Sequence, residues 1–100
     1  MEGQEVINLM NRMYEQRVKP NFKTGRLGLA LGEISNLVVF MDEHATQIER
    51  YSGGGNYIAS AHLLEERLRT SSEVPISSVK MFELFRKQFN LAVETGNIKG

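Results

Sequence analysis

The sequence predicts an all-α protein, an antiparallel bundle of about four helices that dimerises. Three observations predict it. Apolar residues recur at three- and four-residue intervals through four separate stretches. Proline or glycine punctuates the joints, at Pro20, Gly53-Gly54-Gly55 and Pro75. Apolar and polar residues nowhere alternate for long enough to make a strand. One hundred residues form a single domain, 1–100.

The first helix is expected over 4–18. Val6, Met10 and Met13 define its stripe, with Ile7, Leu9, Tyr14 and Val18 beside them. Methionine adapts to irregular surfaces, so Met10 and Met13 are candidate contacts to another protein, although a core-facing helix is the simpler reading. Pro20 is expected to end the helix, because the residue before a proline avoids the helical region. Thr24 is the expected cap of the next helix.

The second helix, 26–51, is the organising element. Leu27, Leu31, Ile34, Val38, Met41, Ala45 and Ile48 line one side of it, over roughly 30 Å. Gly25, Gly28, Gly32, Ser35 and Val39, flanked by Leu29 and Phe40, make its first half small or apolar nearly all round. That half is therefore expected to be buried on more than one side. Each helical glycine costs about 1 kcal/mol against alanine, so Gly28 and Gly32 suggest close approach of a partner helix across a dimer axis. The competing explanation is a helix that starts late. Arg26, Glu33, Asp42 and Glu43 argue against a membrane setting for this small-residue spacing.

Ser52-Gly53-Gly54-Gly55-Asn56 reads as a break, with Asn56 capping a third helix over 57–69. Tyr57, Ala61, Leu64 and Leu68 form its stripe, and His62, Glu65, Glu66 and Arg69 lie away from it. Tyr51 and Tyr57 flank the glycine turn and are placed to pack across it. A polar loop ending in Pro75 leads to a fourth helix over 77–95. Its stripe of Phe82, Phe85, Phe89 and Val93 is widened by Met81, Leu84, Leu91 and Ala92, while Lys80, Glu83, Arg86, Lys87 and Asn90 are expected to face out. Gly96 suits the left-handed position that ends a helix, and 97–100 is expected to fray.

Composition excludes several function classes. Hydrophobic residues are 41% and charged residues 24%, the balance of a soluble globular chain. No stretch reaches transmembrane length, and the acids within 1–11 are unlike a signal peptide. Cys is 0, which removes disulfides and thiolate metal sites and suits the cytoplasm. No cofactor and no metal is expected: neither His44 nor His62 has a glutamate three residues before it, as bundle metal sites require. His62 and Glu65 alone make too few ligands for zinc. Adjacent Asp42/Glu43 and Glu65/Glu66 diverge by about 100° on a helix, unlike a working acid–base pair. The serines lie in loop-like sequence without a nucleophile elbow, and the glycine run lacks the strand and lysine of a phosphate loop. An enzyme is not expected.

Two functional readings remain. The leading one is a small non-enzymatic protein that self-associates and acts through protein–protein contact, as an adaptor, chaperone-like factor or inhibitor. Its interface candidates are Met10, Met13, Gly28, Gly32, Phe82, Phe85 and Phe89. The alternative is a nucleic-acid or nucleotide-phosphate binder. The formal net charge is zero, but Arg12, Arg17, Lys19, Lys23 and Arg26 fall within fifteen residues against Glu15 alone. With Phe22 placed to stack on a base, they form a candidate phosphate-binding patch.

Overall fold

In the computed structural model, which describes residues 3–98, the first helical run passes through Pro20 instead of stopping there. Helix α1 (Gly3–Met13) continues into a π-helical turn (Tyr14–Val18) and then α2 (Lys19–Lys23). The wide turn is what accommodates the proline. The Lys19 N–H reaches back to the Tyr14 carbonyl, and Pro20, which has no N–H to place, falls in the first turn of the restarted α-helix. The Asn21 side chain donates to the Arg17 carbonyl at 2.8 Å. The run ends at Gly25, whose φ of +69° allows the Gly25 and Arg26 N–H groups to turn back to Phe22 and Asn21. Thr24 therefore closes this helix, its hydroxyl donating to the Pro20 carbonyl at 3.1 Å, and does not cap the next.

The second predicted helix is divided. Helix α3 (Leu27–Glu43) begins after Arg26 and ends at His44; α4 (Ala45–Glu49) follows. The break falls at His44, whose φ of −118° and ψ of 24° lie off the helical values. Its Nδ1–H donates to the Phe40 carbonyl at 2.9 Å, and its ring lies 4.3 Å from that of Phe40. The His44 backbone N–H reaches the same carbonyl at 3.1 Å, so the ring bond adds to that rung of the ladder.

Helix α5 (Gly54–Thr70) starts earlier than the glycine run suggested. Gly53, at φ +82°, is the turning residue, while Gly54, Gly55 and Asn56 are already helical. Gly54 is buried where α4 meets α5; a Cβ there would collide with the Ile48 carbonyl and lie 3.1 Å from Glu49 Cα. Helix α6 (Ile76–Glu94) ends at Gly96 as expected. Residues 97 and 98 are tied down, not frayed. The Ser52 N–H donates to the Asn97 carbonyl at 2.9 Å, and Tyr51 and Ile98 form an isolated antiparallel bridge. Lys99 and Gly100, the rest of the expected tail, lie outside the described residues, as do Met1 and Glu2.

The described residues are all-helical and contain no strand. Helix α5 is the central layer, packed along α3 on one side and α6 on the other, while α1 and the π turn cross α3. The apolar stripes meet here: Ile34, Leu37, Val38 and Met41 of α3, and Tyr57, Ala61, Leu64 and Leu68 of α5, are buried. An aromatic spine runs through the core. Tyr14 and Tyr57 lie 5.2 and 5.3 Å from Phe82, and Tyr57 lies 5.2 Å from Phe89. Tyr51 meets Phe89 edge-on, so Tyr51 and Tyr57 both pack on that ring.

Candidate functional site

The π turn sets Tyr14 facing inward and Lys19 on the rim of a cleft. This cleft, about 220 Å³ in volume, lies between α2 and the start of α6. Phe22, Val74, Ile76 and Val79 are its apolar walls; Lys19, Lys23 and Lys80 stand around it. Tyr14 and Glu83 complete its lining.

The acids nearby are turned to internal partners. The Tyr14 hydroxyl donates to Glu83 Oε2 at 2.8 Å. Burial, and then this carboxylate, hold the Tyr14 hydroxyl protonated well above the usual tyrosine range. Glu15 receives Arg86 at 2.9 Å and, more loosely, Lys19 at 3.7 Å. The Arg86 guanidinium also lies over the Tyr14 ring, 4.7 Å from its centroid. Asn11 and Asn90 exchange side-chain hydrogen bonds at 3.2 Å beside this group. Burial likewise raises the Tyr57 hydroxyl, an effect partly opposed by Arg86. Among the described residues, Lys23 and Lys80 have no ion-pair partner.

Glu83, Arg86 and Asn90 are therefore drawn inward against α1 and its π turn, not outward as their polarity suggested. Rotating that polar stripe inward turns another stripe out. Met81, Leu84 and Leu91, expected to widen the core face of α6, are 49%, 54% and 58% exposed.

The sequence-predicted residues separate accordingly. Of the basic segment, Lys19, Phe22 and Lys23 share the cleft with Lys80. Arg12 and Arg17 line a different groove with Leu9, Met13 and Gln16. Arg26 is exposed at the head of α3. The segment thus contributes to two separate grooves, the later one shared with the start of α6.

Of the interface candidates, Met10, Phe82 and Phe89 are wholly buried core residues, and Met13 and Phe85 pack partly buried against that core. Gly28 and Gly32 are exposed, and a Cβ at either would meet nothing within 4 Å. The first half of α3 is thus open on its outer face, with Leu29 and Val39 exposed beside the glycines, not buried on several sides. Lys80, Val74 and Ile76 were missed as cleft residues; only the folded α1–α6 contact brings them to the basic segment. His62 Nε2 meets Asp42 Oδ1 at 2.9 Å on the surface. Among the described residues, no three His, Asp or Glu side chains converge to hold a metal ion, and no helix is long and apolar enough to cross a membrane. No family model, curated protein or solved structure matches this chain.

Proposed function

We propose that the protein is a non-enzymatic helical binding protein, folded as an antiparallel bundle, that works through protein–protein contact and associates first with a second copy of itself. One observation carries the reading: the exposed seam on α6. Met81, Leu84, Gln88 and Leu91 follow one another at spacings of three, four and three, the stripe of a helix that packs on another helix. Lys80 and Glu94 flank the seam two heptads apart. An antiparallel two-fold pairing centred near Lys87 sets Lys80 of each copy opposite Glu94 of the other. Lys87 meets its own equivalent at the axis, where its long stem lets the ammonium reach water. A short seam of this kind favours a weak, micromolar dimer. The cysteine-free composition suits a cytoplasmic setting.

The test is the solution mass by light scattering over a concentration series, with ultraviolet absorbance recorded on the same peak. The parent chain is expected to move from monomer to dimer without nucleic-acid absorbance, and Leu84→Glu to stay monomeric with an unchanged thermal midpoint. Lys80→Glu is expected to weaken the dimer and Lys80→Glu/Glu94→Lys to restore it. A parent chain that remains monomeric up to millimolar concentration refutes the reading. The separation of Arg12 and Arg17 from Lys19 and Lys23 weighs against the phosphate-backbone alternative, which needs its cations along one track.

A further inference from the structure

We infer that the cleft between α2 and α6 is a binding site for a small amphipathic anion: a short apolar chain or single ring carrying one carboxylate or phosphate. Met81, Leu84, Gln88 and Leu91 of the α6 seam do not line the cleft; Lys80 alone is common to both surfaces, so binding is measured at protein concentrations where the chain is monomeric. Three features favour this occupant. The walls of Phe22, Val74, Ile76 and Val79 are apolar, and at about 220 Å³ the cavity is small. Sites for drug-sized molecules run about 300–1,000 Å³, so a short apolar body fits and a large one does not. The charge around it is complementary to an anion. Lys23 and Lys80 have no ion-pair partner among the described residues, and Lys19 has only the loose contact to Glu15. Glu15 is held by Arg86, and the one acid that lines the cleft, Glu83, accepts the neutral Tyr14 hydroxyl and is outnumbered by the lysines around it. The apolar body would enter among the walls while its head group stays with the lysines at the rim. A nucleic-acid backbone matches this less well, since a polymer of phosphates needs no apolar cavity and gains from cations spread along a track.

The probes are octanoate, octyl phosphate and neutral octanol, each below its micelle-forming range, titrated into protein with labelled Ile, Leu and Val methyl groups. Octanoate or octyl phosphate is expected to shift the Val74, Ile76 and Val79 methyl signals saturably and leave Leu84 and Leu91 unmoved. The tighter of the two anions identifies the head group as carboxylate or phosphate. Lys23→Gln and Lys80→Gln, both at exposed positions, are each expected to weaken binding about threefold, and together about tenfold. Added salt is expected to weaken it further. Ile76→Asp, which replaces an exposed wall residue with a like charge, is expected to abolish the shifts while far-ultraviolet circular dichroism stays unchanged. Octanol binding as tightly as octanoate overturns the inference, because the lysines would then contribute nothing. Shifts centred on Leu84 and Leu91 overturn it too, because the anions would then be coating the α6 seam.

Discussion

Replacing Gly54 with alanine tests the closest approach in the fold. The neighbouring glycine provides the control. At Gly55 an added Cβ meets nothing within 4 Å. Gly55→Ala should therefore gain the ordinary benefit of removing a helical glycine, about 0.5–1 kcal/mol. At Gly54 the same methyl collides with the Ile48 carbonyl, whose carbon lies 2.8 Å away, and with Glu49 Cα at 3.1 Å. All three atoms are backbone, so no rotamer change relieves the clash; α4 must shift away from α5. Forcing extra methyl groups into a packed site costs about 1–3 kcal/mol. Gly54→Ala is thus expected to lose about 2 kcal/mol against the parent, although alanine is the better helix former. For a domain of this size that loss lowers the thermal midpoint by about 8–16 °C, while Gly55→Ala raises it by a few degrees. Far-ultraviolet circular dichroism on heating, with urea midpoints as a second measure, reads both variants. Equal midpoints for the two would refute the reasoning, since α4 could not then cross α5 at backbone contact.

Alkaline pH should unfold the chain through two tyrosines. Tyr14 and Tyr57 are both held protonated in the fold, chiefly by burial. The stability this gives is complete below the ordinary tyrosine value of about 10 and is lost as pH rises above it, where the unfolded chain ionises first. Each group contributes a slope of about 1.4 kcal/mol per pH unit. Tyrosinate absorbance from both residues is expected to appear together with loss of helix; ionisation of all the tyrosines with helix content intact would contradict it. Met10→Asp is expected to unfold the chain, because an unpaired carboxylate at a wholly buried position costs about 3–5 kcal/mol. Met13→Asp, at a half-exposed position, should leave a cooperative urea transition; two similar transitions would place Met10 outside the core.

Periodicity made the core legible wherever one side of a helix faces one neighbour. The α5 stripe of Tyr57, Ala61, Leu64 and Leu68 is buried as read, as are Ile34, Val38 and Met41 of α3. Reading failed where a local exception overrode a rule. Pro20 looked like a stop because the residue before a proline avoids the helical region, yet Lys19 is helical at φ −56° and ψ −43°, and Pro20 falls in the first turn after the π turn, where no N–H is needed. His44 lies in a continuous apolar period, yet its backbone leaves the helical values there and divides the helix. Gly28 and Gly32, read as a close approach across a dimer axis, meet nothing within the chain itself, while Gly54, read as part of a flexible turn, is the tight contact within it. A sequence shows that a Cβ is missing, but not what stands where it would be. The candidate site was half legible. Lys19, Phe22 and Lys23 were singled out, but the other wall comes from α6, more than fifty residues further along the chain.

The least expected feature of α6 also links the two proposed surfaces. Judged by polarity alone, Glu83, Arg86 and Asn90 belong outside, and Met81, Leu84 and Leu91 inside. Yet 83, 86 and 90 follow the three–four spacing of a helical stripe, and so do Asn11 and Glu15 on the facing run. Two polar stripes pair here by hydrogen bonds and one ion pair at a half-buried contact, which leaves the Arg86 Nε buried without a partner. Apolar side chains tolerate small slips between helices, whereas Tyr14–Glu83, Glu15–Arg86 and Asn11–Asn90 are satisfied together in one register only. That register fixes the rotation of α6. The same rotation closes the cleft beside Phe22 and turns the Met81–Leu91 stripe to solvent, so the proposed anion site and the proposed dimer seam both depend on which face of α6 meets α1.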